Sequence, residues 1–150
     1  MDEAPRRGRG RPRKTEADAE ILDVALALVR AGGYRELTLD EVARRAGVAK
    51  TTIYRRWPSK AALAAELVRR ESELPDDVPA ILASFTRLLT GDLAGVVLSL
   101  VAEGEAAVLR PYRDALIGLT GAEEADRLLG AIWSRVVVGG ESADRSVCAT

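Results

Sequence analysis

The stretch "TLDEVARRAGVAKTTIYRRWPSK", Thr38 to Lys60, decides how this chain is read. Thr38 and Glu41 have the spacing of a capping box, in which a hydroxyl and a carboxyl satisfy the first amides of a helix reciprocally. Leu39, Val42, Ala43 and Ala46 then give a short apolar stripe, and Gly47 breaks it, with Val48 as a small apolar residue in the turn. A second short helix fits Lys50 to Arg56, entered through Ala49, a weak N-cap, and anchored inward by Ile53. "WPSK" interrupts again, and Ser59 caps a further helix over 60–72 carrying Leu63, Leu67 and Val68. Two short helices around a glycine turn are the pattern of a helix-turn-helix, in which the second helix lies in the major groove of DNA.

The chemistry of the second helix fits that use. With Ile53 inside, Lys50, Thr51, Thr52, Tyr54, Arg55 and Arg56 are left to point outward. Lysine and arginine donate to guanine O6 and N7, while threonine and tyrosine reach phosphates or the thymine methyl. The alternative is an ordinary solvated helix face. Against it, no carboxylate occurs from Val42 to Lys60, and solvated helices normally mix signs.

Working outward, the rest of the chain reads as all-α. Upstream, Thr15 is a plausible N-cap for a helix with Ile21, Leu22, Ala25, Leu28 and Val29 on one stripe, ended by Gly32-Gly33. These elements predict a three-helix bundle with its helix-turn-helix over 15–72. Downstream, "LPDDVP" reads as a hinge, since proline disfavours helix in the residue before it. Residues 73–150 then form a second helical domain. Val78 to Leu89 make one helix, and Gly91-Asp92 caps another, apolar all round, through about Glu103. Pro111 starts a third, and Ala122 to Val138 make the last. Glu103 and Glu105 read as exposed acids or as partners for a cationic ligand.

The 150 residues carry a formal net charge of only −1, which hides an asymmetry. Residues 1–60 hold 14 Lys or Arg against 9 Asp or Glu, and residues 61–150 hold 8 against 14. Only the first part is suited to an anionic partner. Arg and Lys also dominate "RRGRGRPRK", Arg6 to Lys14, so residues 1–14 read as a flexible basic arm. No apolar run is long enough for a membrane span and none follows the basic start as a secretory signal would, so no membrane partner is expected. The one cysteine, Cys148, has no disulfide partner, which points to a cytoplasmic location. There is no histidine, so the usual nucleophile–base pairs and zinc sites are unavailable. Neither enzyme activity, nor a cofactor, nor a bound metal is expected.

From Ile21 to Leu63 the sequence resembles the TetR-type bacterial transcriptional regulators nearly throughout. The likeness rests on Gly-Tyr after the first helix, Leu-Thr before the second, Ala-Gly-Val at the turn, Thr-Ile-Tyr in the recognition helix, and Trp-Pro-Ser-Lys before the fourth. It implies base contacts from Lys50, Thr51 and Tyr54, and phosphate contacts from Thr38, Thr52, Arg56 and Lys60, with Arg55 as a further one. It also implies a homodimer on a double-stranded DNA operator, repressing until a small-molecule effector enters the C-terminal domain. Phe85, Leu89, Leu98, Tyr112 and Trp133 are the candidates to line that pocket, with plain core packing as the alternative for each. The C-terminal domain departs from the family pattern: it is short around 104–122, and "ESADRSVCAT" does not resemble the last family helix that completes the dimer contact. A ligand-independent or architectural DNA-binding protein is the competing expectation. Arg9-Gly10-Arg11-Pro12 further resembles the core of an AT-hook, so that Arg9, Arg11, Arg13 and Lys14 would lie along a narrow minor groove beside the groove being read.

Overall fold

The computed structural model describes residues 12–140, and among these there are eight α-helices and no strand. The first, α1 (Pro12–Glu36), begins three residues before the expected Thr15 cap. Proline suits a first helical turn, because its missing N–H is one that a helix leaves unpaired anyway. Pro12 therefore starts the helix rather than extending an arm, and the backbone of Arg13 and Lys14 is helical. Arg9 and Arg11 lie outside the described residues. Gly33 breaks the helical run as expected, with φ 73° and ψ −171°, a conformation that glycine adopts without the Cβ penalty.

Helix α2 (Leu39–Ala46) is capped by Thr38, whose Oγ1 accepts from the Glu41 N–H at 3.2 Å. Only this half of the predicted box forms. The Glu41 carboxylate turns to Arg44 and Arg45, at 2.6–2.8 Å, because two guanidiniums on the next turn attract it more than one neutral amide. These hydrogen bonds, Arg44 first, hold its carboxyl down at about 2. Gly47 closes the helix in the left-handed conformation, φ 65°. Helix α3 (Lys50–Arg56) follows from Ala49, which makes no side-chain cap. Ser59 caps α4 (Lys60–Glu71), its Oγ accepting from the Ala62 N–H at 3.0 Å.

Past the hinge, Asp77 caps α5 (Val78–Thr90), a role the sequence reading did not give it. Helix α6 (Ala94–Ala102) starts later than expected, since Asp92 is not its cap but accepts from Arg30 Nε at 2.8 Å. A short 3₁₀ turn, Ala106–Leu109, leads into α7 (Arg110–Thr120) and then α8 (Ala122–Trp133), which continues as a π-helical turn to Val138.

One core runs through all of this. Helix α1 packs on α2, α4 and α6, while α5 packs on α6, α7 and α8. Ile53 and Trp57 from the reading segment, Leu63 and Leu67 from α4, and Ile81, Phe85, Leu100 and Tyr112 from the second half belong to one buried cluster. Inside it, the Tyr112 ring lies 5.3 Å from that of Phe85, and its hydroxyl shares a 3.2 Å hydrogen bond with Ser84. Ser84 also donates to the Glu73 carbonyl at 2.6 Å, so these buried hydroxyls are satisfied.

Candidate nucleic-acid interface

Helix α3 has only seven residues, and Ile53, fully buried, is its single core side chain. That one anchor fixes which face looks outward. Thr51, Tyr54 and Arg55 are exposed, as is Lys50, while Thr52 is half-buried. Thr38 is exposed at the start of α2, where unpaired amides and the helix dipole suit an anion. Arg55 makes no ion pair among the described residues.

Carboxylates from neighbouring helices reach this face, so the absence of acids within 42–60 does not make it purely cationic. Lys50 Nζ donates to Asp40 Oδ2 at 2.6 Å, and the Tyr54 hydroxyl lies 3.4 Å from Asp40 Oδ1. The Lys50 hydrogen bond is the main cause that lowers the Asp40 carboxyl, and the same contact raises the Lys50 ammonium.

Arg56 departs from the outward orientation expected of it. Its side chain is 16% exposed and forms an ion pair with Asp18 of α1, so it braces α1 against α3. A guanidinium on the C-terminal turn of so short a helix lies next to the bundle, and a carboxylate there draws it in.

Lys60, half-buried, rests its ammonium 4.1 Å from the centre of the Tyr34 ring, a cation–π contact. The Tyr34 hydroxyl in turn donates to Glu103 Oε2 at 2.9 Å. Burial pushes the Tyr34 phenol up to about 12, aided by that hydrogen bond and by the charges of Glu103 and Glu105. Glu103 is thus an exposed acid that ties the start of the 3₁₀ region to Tyr34 of α1, the ring on which Lys60 rests.

The candidate pocket residues do not converge on one site. Phe85 and Trp133 line a cavity of about 400 Å³ with Leu109, Leu129, Arg110 and Arg113. Tyr112 borders a different cavity of about 280 Å³, between α1 and α5. Leu89 is core, and Leu98 is 38% exposed because α6 meets α1, α4 and α5 but leaves one side open. Among the described residues no helix alone is long and apolar enough to cross a membrane. No cluster of three metal-ligating side chains occurs among them either.

Asp40, Tyr34 and Asp18 were not singled out from sequence. Asp40 lies ten residues before Lys50, across a turn, so helical spacing does not connect them. Tyr34 had its signal in the Gly-Tyr pair after the first helix.

Residues 21–67 match the family described as bacterial regulatory proteins, tetR family. The uncharacterized HTH-type transcriptional regulator Rv1556 of Mycobacterium tuberculosis is 52% identical over 52 residues, 35% of this chain and 24% of that protein. The HTH-type transcriptional repressor KstR of Rhodococcus jostii is 44% identical over 61 residues, covering 41% and 29%. The uncharacterized regulator YdeS of Bacillus subtilis is 32% identical over 107 residues, covering 65% of this chain and 54% of its own. The chain thus spans about a quarter of the length of the mycobacterial relative and about half that of YdeS.

Proposed function

We propose, from the premise that residues 21–67 belong to the tetR family of bacterial regulatory proteins, that this chain is a sequence-specific DNA-binding transcriptional repressor and not an enzyme. One observation supports the reading above others: a helix whose one buried side chain is Ile53 turns Lys50, Thr51, Tyr54 and Arg55 outward together. In this reading Lys50, Thr51 and Tyr54 meet base edges. Thr38, Thr52, Arg55 and Lys60 meet phosphates, which fix register without reading sequence. The name of the KstR relative supports repression. A homodimer would place two reading heads on a two-fold symmetric operator. The open groove beside Phe85 and Trp133, about 400 Å³ with an apolar floor and a rim that includes Arg110, Arg113 and Asp126, has the size for a small effector, which favours ligand response over the architectural alternative.

The test is selection of duplexes from a randomised pool by the full chain, followed by titration of the enriched duplex and a scrambled one. Tyr54→Ala is expected to lose roughly tenfold on the enriched duplex and little on the scrambled one. A pool that yields no preferred duplex would sink the reading. Lys60→Ala is expected to weaken binding to both duplexes alike and to reduce the salt dependence by about one phosphate contact. An unchanged salt slope would show that Lys60 serves Tyr34 alone.

A further inference from the structure

We infer that Asp40 is a positioning residue that sets how sharply the reading helix discriminates among DNA sequences; this rests on the DNA-reading function proposed above. Lys50 and Tyr54 stand one helical turn apart on α3; Lys50 is paired with this carboxylate on α2 at 2.6 Å, and the Tyr54 hydroxyl lies 3.4 Å from it. The side chains of Lys50 and Asp40 are 64% and 53% exposed. A pair so solvated contributes little to folding. Its position matters more: it lies on the face that a polyanion would approach, where a carboxylate is repelled by phosphate.

The consequence follows from what a lysine does alone. An ammonium on a four-carbon stem is a flexible point charge that any phosphate satisfies, so it adds affinity for every sequence. Bound to Asp40, its charge is locally compensated, and its gain from random DNA is small. Its direction is also set, with two of three N–H donors left for a base acceptor. The Tyr54 hydroxyl, at 3.4 Å, is at the outer edge of hydrogen-bonding reach of the same carboxylate, so the tether acts on Lys50. Asp40 thereby penalises binding to arbitrary phosphate while leaving the base-directed donors usable.

The experiment compares wild type, Asp40→Asn, Asp40→Glu and the double variant Asp40→Asn/Lys50→Met on the enriched and scrambled duplexes, over a range of salt. Asp40→Asn is expected to tighten binding to the scrambled duplex and steepen its salt slope by about 0.9. The ratio of affinities for enriched over scrambled duplex should fall by about tenfold. Asp40→Glu, which keeps the charge, should restore most of that ratio, and the double variant should return the slope to the wild-type value. Thermal midpoints check that each variant is folded, and Asp40→Glu and the double variant carry the test should Asp40→Asn melt early. A preferred duplex bound with the same ratio by wild type and Asp40→Asn overturns the role of Asp40 alone. A steeper slope that persists without Lys50 overturns the tether and leaves bare charge repulsion. If no duplex is enriched by wild type, the DNA-reading proposal fails and this one with it.

Discussion

Ile53→Asp is expected to abolish binding to every duplex, enriched or scrambled, and to unfold the reading segment at ambient temperature. Helix α3 has seven residues, no side-chain N-cap and one buried side chain, so apart from the Arg56–Asp18 pair and Trp57 just past its end little else holds it to the bundle. Truncating a fully buried isoleucine to alanine costs about 2–5 kcal/mol, against a total stability of about 5–15 kcal/mol for an ordinary domain. A carboxylate in the same place costs more, since it would be taken out of water among the apolar side chains that surround Ile53. Far-UV circular dichroism on heating and fluorescence anisotropy with labelled duplex measure the two effects. A variant that melts like wild type and still binds would show that α3 is held by something other than Ile53. Ile53→Val, at about 0.5–1.5 kcal/mol, should leave both measurements close to wild type.

Arg56→Ala is expected to act on stability rather than on contact with DNA. Its guanidinium is paired with Asp18 and largely withdrawn from solvent. Removing one partner of a fully buried ion pair costs about 3–5 kcal/mol and of an exposed one about 0–1 kcal/mol, and this half-buried pair lies between the two. Asp18 retains 33% exposure and can be hydrated when its partner is removed, which places the expected loss at about 1–2 kcal/mol. Asp18→Ala should cost a similar amount, and the two losses together should fall short of additive, since each breaks the same contact. Chemical denaturation measures this, and the salt dependence of binding separates the alternatives. If Arg56→Ala leaves the denaturation midpoint in place and lowers the salt slope by about one, Arg56 is a phosphate contact and not a brace.

These two residues also show how far the sequence could be read. Ile53 was legible because the outward and inward sides of a short helix follow from its period, and only one apolar residue was available. Helix ends were legible where a single residue carries the signal: Thr38, Gly47 and Ser59 cap where they were expected to. Arg56 was not legible as a brace, because its partner comes from α1, thirty-eight positions earlier, and depends on how the helices cross. The same holds for Asp40 and Tyr34. A charge count along the chain sees only neighbours in sequence, whereas the field at the reading face is set by carboxylates that the bundle delivers. Within the second half, helix periodicity located the elements. It could not say which apolar residues border a space: Leu98, a candidate for the pocket with core packing as the alternative, is 38% exposed.

The pairing of Tyr34 with Glu103, and of Arg30 with Asp92, has a practical side for anyone who wants to exchange reading heads between relatives. The hinge around Pro75 looks like the natural place to splice. Yet α1 and α4 each have a second neighbour in α6, and Leu26 shares a cavity with Leu88 and Leu93 from beyond the hinge. A head cut at Pro75 would carry away an uncovered apolar seam, an arginine without its aspartate, and a tyrosine without the acid that orients it beneath Lys60. Grafting such a head onto a foreign second half therefore requires that half first to cover this apolar seam, while counterparts of Asp92 and Glu103 would add only the small gain of exposed pairs.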